Sequence, residues 1–163
     1  MPIIDLHSRN PLEDGRQSAR ALRIRRGVQL LLSEMGAAHV PELTLASGRR
    51  ADLIALFRDG SIWIVEIKSS IEDMKADSKW PDYRAFCDRL FFATLEDVPE
   101  DIFPGDCGFI RADTHGAALL REAPEHKLPG PTRKAMTLRF ARLAALRLHA
   151  LADPAARFDE GRL

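Results

Sequence analysis

Apolar positions recur along this chain in two rhythms. From about Arg16 to Met35 they fall at helical spacing. Ile24, Val28, Leu31 and Met35 make one stripe with Leu32 beside it, and Gly36 follows as a stop. Shorter apolar runs then predict strands at about Val40–Leu45, Ala51–Phe57 and Ile62–Lys68. The last two are nearly continuous, as in strands covered on both faces. Ser47-Gly48 and Arg58-Asp59-Gly60-Ser61 mark the turns between them.

The second half follows the same logic. A polar stretch from Ile71 to Lys79 precedes Pro81, which suits a first helical turn, so a helix is predicted over Pro81–Arg89. Leu90–Thr94 reads as a fourth strand, and Glu96–Asp106 as an acidic, proline-bearing loop. Gly108–Ala112 and Ala117–Arg121, joined by Asp113-Thr114-His115-Gly116, read as a hairpin. A proline-rich linker leads to a long helix over residues 132–152, with Leu138, Ala141, Ala145 and Leu148 as its apolar stripe. Residues 1–14 read as a flexible arm, 15–152 as one domain and 153–163 as a disordered tail. The class is α/β: a mixed central sheet flanked by helices.

Two of the apolar strands carry charge where a core strand should not. One holds Asp52; the other holds Glu66 and Lys68. Residues two apart on a strand share a face, with Cα atoms about 6.5 Å apart. Charges in such runs are costly unless they pair or bind a metal. Two carboxylates suit a hard divalent cation, and a lysine beside them can hold or activate water. A buried ion-pair cluster without chemistry is the structural alternative.

The turn decides whether the two acids can meet. A two-residue Asp59-Gly60 loop would set Asp52 opposite Ile67, pointing away from Glu66. A three-residue loop, Arg58-Asp59-Gly60, pairs Phe57 with Ser61 and sets Asp52 opposite Glu66, with Gly60 in the left-handed position. A shared metal requires the second arrangement or a bulge.

Asp52, about a dozen residues, then Glu66-Ile67-Lys68 resembles the PD-(D/E)XK nuclease superfamily. GRRADLIAL, IWIVEIKSS, DSKWPDY and FCDRLFFAT resemble the bacterial MmcB-like DNA repair family within it, from about Glu42 to near Ala152. Ala51 stands where the superfamily usually has proline. The resemblance implies a restriction-endonuclease-like core in the order αβββαβ. It also implies a metal-dependent deoxyribonuclease acting in DNA repair, with Asp52, Glu66 and Lys68 catalytic. Mg²⁺, or Mn²⁺ as substitute, would be held by Asp52, Glu66 and the Ile67 carbonyl. Nucleases of this class often add an acid from a preceding element; Glu42 fits by position, a solvated edge carboxylate being nearly as good a reading, and Glu34 is weaker. The rival is a non-catalytic DNA-binding or scaffolding subunit on the same fold. Nothing separates DNA from RNA as substrate.

Charge adds a partner to this picture. The net charge is +0, but Gly15–Ser33 carries Arg16, Arg20, Arg23, Arg25 and Arg26 without an acid. His126–Ala152 carries Lys127, Arg133, Lys134, Arg139, Arg142 and Arg147, again without one. Acids concentrate between Glu66 and Asp106. Basic ends around an acidic middle suit a protein that grips phosphate near a cation; two solvated helix faces are the plain alternative. Arg16, Arg23, Arg49, Arg50, Lys79, Arg139 and Arg142 are the candidate DNA contacts. Trp80 and Tyr83 could stack on bases, though packed aromatics are commoner. Ser69 could touch phosphate or orient Lys68; capping is the usual use of Ser69 and Ser70. Cys87 and Cys107 form no disulfide framework, and no Cys/His cluster has zinc spacing. No apolar run reaches a membrane span, and the early acids do not fit a signal peptide, so a cytoplasmic protein is expected. A homodimer or a repair-protein partner is left open.

Overall fold

The first apolar stripe forms α1, Ala19–Glu34, in a computed structural model that describes residues 18–155. The expected arm over 1–14, most of the expected tail and Arg16 lie outside the described residues. Ser18 caps α1 by accepting the Ala21 N–H at 3.1 Å. The buried face is Ile24, Gly27, Val28 and Leu32, while Met35 is exposed. It is rotated from the expected stripe because the tip of a later hairpin lies on Gly27. A Cβ there would stand 2.1 Å from the Asp113 carbonyl oxygen.

Six strands make one sheet in chain order: β1 Ala38–Thr44, β2 Arg50–Leu56, β3 Ile62–Ile67, β4 Arg89–Thr94, β5 Gly108–Ala112 and β6 Ala117–Arg121. β1–β2–β3 is an antiparallel meander, β4 and β5 add in parallel, and β6 closes a hairpin on β5. The mixed sheet and the αβββαβ order are as expected.

The crossover from β3 to β4 differs from the expectation. The α-helix there, α2, is Ile71–Ala76, and Trp80–Phe86 is a 3₁₀ segment rather than the predicted α-helix over Pro81–Arg89. Ser70 caps α2 by accepting the Asp73 N–H at 3.1 Å, and Glu72 and Asp73 face its positive end. Pro81 starts a helical turn, but β4 begins at Arg89 and leaves no length for more.

The sheet separates two cores. α1 packs on one face with Leu53, Val65, Phe91 and Ile110; the other holds Ile54, Ile64, Phe92 and Phe109. The second face is covered by α3, Gly130–Ala152, through Met136, Phe140 and Leu143. That corrects the predicted stripe of the last helix. Leu138 is 53% exposed and Leu148 68%, and Ala141 and Ala145 are exposed with them. The outward stripe is the more regular of the two apolar faces. The inward one is interrupted by arginines that bind backbone: Arg133 to Gly60 O, Arg139 to Thr44 O, Arg147 to Pro41 O and Glu42 O.

Asp88 fastens this packing. It is buried, and its carboxylate accepts from Ile62 N–H, Leu128 N–H and both terminal nitrogens of Arg133. Burial pushes its carboxyl up, but Arg133 and the two N–H groups outweigh that and hold it below the usual range.

Candidate functional site

The β2–β3 turn has the register that the acid pair requires. Leu53 pairs with Val65 and Leu56 with Ile62, the Phe57 N–H reaches Ser61 O at 3.0 Å, and Gly60 has φ 84°. Counting one step beyond Leu53–Val65 sets Asp52 opposite Glu66. The regular ladder stops there, and the carboxylates take over its hydrogen bonds. The Asp52 N–H donates to Glu66 Oε1 at 3.1 Å, and the Ile67 N–H donates to Asp52 Oδ2 at 2.8 Å. Each carboxylate is aimed by the other strand and keeps a second oxygen for a ligand.

By the same count Glu42 lies level with Asp52 on β1. Its φ of 54° breaks the pleat at that level. Val40 and Leu43, three apart, both face the α3-side core, as do Ala51 and Ile54 on β2. Glu42 is buried, 3.4 Å from Arg50 Nη2, and does not line the cleft above Asp52 and Glu66. The structure therefore does not bring this candidate ligand in with the other two.

That cleft has a volume of about 400 Å³ and is walled by the N-terminus of α1, α2 and the 3₁₀ segment. Lys68 enters it just past the end of β3. The strand is held there by Lys68 N–H to Ala93 O at 3.0 Å and Thr94 Oγ1 to Lys68 O at 2.7 Å. Lys68 Nζ donates to Asp77 Oδ2 at 2.6 Å. The other Asp77 oxygen accepts the N–H groups of Lys79 and Trp80, which fixes the carboxylate. Asp73 lines the same wall and accepts the Ser69 N–H at 3.0 Å. Asp73 and Asp77 are the site residues that sequence reasoning left out. The spacing Ser70-x-x-Asp73 before an apolar residue was the available signal for α2, and hence for its place over the cleft.

The electrostatics are those of a crowded acid site. Burial raises the Asp52 carboxyl, which the Ile67 N–H and Lys68 only partly offset. Burial and then the Asp52 charge push Glu66 well above the usual carboxylate range. Burial pushes the Lys68 ammonium down, but Asp77, Glu66 and Asp73 outweigh it and hold the group above the ordinary lysine range. It stays charged at neutral pH. Tyr83 is raised by burial and then by Glu66 and Asp52, so its phenol stays protonated.

Among the described residues no three His, Cys, Asp or Glu side chains are grouped to hold a metal ion. Two carboxylates with a nearby carbonyl, that of Ile67, are a poor zinc site but fit Mg²⁺, which keeps several waters and takes one or two carboxylates. The mutual repulsion of Asp52 and Glu66 is what a cation between them would relieve.

The candidate DNA contacts divide by what already holds them. Arg49 pairs with Asp82 at 2.7 Å, and Arg139 is bonded to Thr44 O. Arg50 lies at the cleft rim beside Glu42. Arg23, Lys79 and Arg142 are exposed. Trp80 packs edge-on against Phe92 with Arg84 over its ring, so it belongs to the core. Tyr83 does both: it lines the cleft, and its hydroxyl donates to Arg50 O at 3.1 Å. Ser69 lines the cleft, and its carbonyl accepts from Arg20 Nε at 3.0 Å. Cys87 is buried, which pushes its thiol up to about 12.

The model of a family described as DNA repair protein MmcB-like matches residues 8–155. Among solved structures the chain is similar to the SPO1766 protein of unknown function from Silicibacter pomeroyi. The two are 39% identical over 87% of this chain and 97% of that one, with a TM-score of 0.83. No curated protein matches the chain.

Proposed function

Because the chain belongs to the MmcB-like family of DNA repair proteins, we propose that it is a metal-dependent deoxyribonuclease of the PD-(D/E)XK type. One observation carries the reading. Asp52 and Glu66 meet at the end of the β2–β3 ladder, each oriented by the partner strand's N–H, in a cleft that also holds Lys68. A buried acid pair without a cation is an electrostatic liability, and a divalent ion turns it into a site.

Asp52, Glu66 and the Ile67 carbonyl would hold Mg²⁺ or Mn²⁺. The bound ion supplies a lowered water pKa and a positive charge against the scissile phosphate. Lys68, charged at neutral pH, is not a general base. It donates hydrogen bonds to the attacking water or to the charge that builds on the phosphoryl oxygens. Asp77 positions it by accepting one of the three ammonium N–H donors, which leaves two for that contact. Arg50, which lines the cleft rim, would hold a flanking phosphate. No helix among the described residues is long and apolar enough to cross a membrane.

A second reading has its own support. Lys68 is already bonded to Asp77 at 2.6 Å, and among the described residues Asp52 and Glu66 are not grouped with a third acid able to share a metal ion. A lysine already taken up by its own carboxylate fits a DNA-binding subunit without catalysis. Single-turnover cleavage of branched, single-stranded and duplex DNA with Mg²⁺ or Mn²⁺ separates the two. The nuclease reading expects activity that Asp52→Ala, Glu66→Ala and Lys68→Ala each remove with the fold intact. Binding without cleavage on every substrate leaves the subunit reading.

A further inference from the structure

Glu42 holds a strained conformation that the acid pair does not use. Its φ of 54° lies in the left-handed region, where a Cβ crowds the following carbonyl oxygen. Among the described residues it is the one non-glycine residue with positive φ. Such strain persists only where the surroundings over-determine it. Here Arg147 reaches from α3 and donates to Pro41 O and Glu42 O, the two carbonyls that flank the Glu42 Cα. The kinked residue carries a buried carboxylate whose Oε1 stands 3.4 Å from Arg50 Nη2. Arg50 is held a second time, through its backbone. Its carbonyl accepts from the Tyr83 hydroxyl at 3.1 Å, and Arg49 beside it is paired with Asp82 at 2.7 Å. The 3₁₀ segment thus fixes the start of β2, from which the Arg50 side chain departs.

We infer that Glu42 is a positioning residue for Arg50, holding its guanidinium at the acid cleft to take a phosphodiester oxygen of a nucleic-acid strand. The pair spans the boundary of the protein: the Glu42 side chain is 9% exposed and that of Arg50 42%. Arg50 lines the cleft with Asp52, Glu66 and Lys68, whereas Glu42 does not. An ion pair between two mobile surface side chains adds little stability. This one starts from a buried carboxylate on a pinned, strained backbone, which aims a cation. A guanidinium carries five N–H donors in a rigid fork, so one edge can be held while another meets a phosphate. The gain is pre-organisation. A free arginine loses rotamer freedom when it binds, and this one has lost it on folding. Glu42 thereby has a role other than third metal ligand, for which it lies outside the cleft. The inference rests on the cleft as the place of DNA in the proposed function, but not on hydrolysis.

Fluorescence anisotropy with labelled branched, single-stranded and duplex DNA, in Ca²⁺ and in chelator, tests it. Arg50→Ala should weaken binding by about tenfold, the worth of one charged hydrogen bond. Glu42→Gln should weaken it by about two- to tenfold, the ordering entropy of one long side chain. The direction discriminates, because removing a negative charge would by electrostatics alone tighten binding to a polyanion. In the Arg50→Ala background the same change should weaken nothing, since no side chain remains to be aimed. Glu42→Gly, in which positive φ carries no strain, should bind as weakly as Glu42→Gln and so separates positioning from folding. Where cleavage is seen, Glu42→Gln should raise KM and nearly keep kcat. Calorimetric titration should find its Mg²⁺ affinity that of wild type. Unchanged or tighter DNA binding by both Glu42 variants overturns the inference, as does equal weakening with and without Arg50. A loss of Mg²⁺ binding in Glu42→Gln also overturns it, by making Glu42 a ligand. DNA that is bound and never cut sinks the nuclease reading alone, and a wild type that binds none of the DNAs sinks both.

Discussion

Glu66→Gln asks whether the acid pair is built for a cation. Glutamine keeps the size of the side chain and an oxygen for the Asp52 N–H, which Glu66 accepts at 3.1 Å. It removes only the charge. In the metal-free protein, burial and Asp52 hold the Glu66 carboxyl well above its ordinary value. Between the unfolded value and that raised one the native state binds more protons than the unfolded chain. Stability therefore falls as pH rises through this window, and the penalty is complete above it. At a pH above the window, the metal-free variant should be more stable than wild type by on the order of 1–2 kcal/mol. That is about 2–8 °C in melting temperature for a chain of this length.

Magnesium should invert the order. An ion present at about 100 times its dissociation constant adds ~2.7 kcal/mol to the state that binds it. Wild type should then melt roughly 5–11 °C higher, and the variant, lacking half of the acid pair, should hardly move. Scanning calorimetry of chelator-treated protein, with and without Mg²⁺, at mildly acidic and mildly basic pH, measures all of these shifts. Toward acid the two proteins should converge and the effect of the ion should shrink, because protons compete for the same oxygens. A wild type unmoved by Mg²⁺ at basic pH, or a variant moved equally, refutes the metal reading.

Asp88→Ala should cost about 3–5 kcal/mol in denaturant unfolding, since it leaves Arg133 and two N–H groups without their shared partner. The folded Asp88 value is depressed, so its contribution is present above the unfolded carboxylate value. It is lost as pH falls through the folded one, and the gap to the variant should close in acid. Gly27→Ala should destabilise by about 1–3 kcal/mol and loosen the β5–β6 tip, because the Cβ meets backbone carbonyls that cannot turn aside. The salt dependence of duplex DNA binding should flatten by about 0.9 for each phosphate that a substitution leaves unneutralised. Lys79→Ala and Arg23→Ala, both exposed, should each flatten it by that step, whereas Arg139→Ala should instead lower stability, its guanidinium being bonded to Thr44 O.

Local pattern carried the sheet and the acid pair because both depend on period-two alternation and turn chemistry. Three residues between Phe57 and Ser61, with Gly60 able to adopt positive φ, fix the register, and the register fixes which carboxylates meet. What local pattern could not carry was choice between equals. α3 has two apolar faces, and its more regular one points outward, because the sheet side is shaped by Phe140 and by arginines that reach carbonyls up to 106 residues away in sequence. Glu42 counts into the acid row by register and is kept out of the cleft by a backbone angle that no spacing rule reveals.

The charge pattern shows the same limit from the other side. Basic ends and an acidic middle read as a surface for phosphate, but the fold sets many of those charges against each other. Arg20 meets Asp97 at 2.7 Å, Arg84 meets Asp106 at 2.8 Å, Arg121 meets Glu100 at 3.0 Å and Arg133 meets Asp88 at 2.6 Å. For Arg20 and Arg133, which belong to the basic ends, the middle segment supplies the counter-charge, while Arg84 and Arg121 lie between those ends and pair locally. The exposed pairs among these add little stability, while each arginine held on a carboxylate is one fewer cation presented to DNA. Counting basic residues along the chain therefore overstates the electrostatic footprint. On the nuclease reading, Arg50 on the cleft rim would therefore matter more to substrate than the longer basic run on α3.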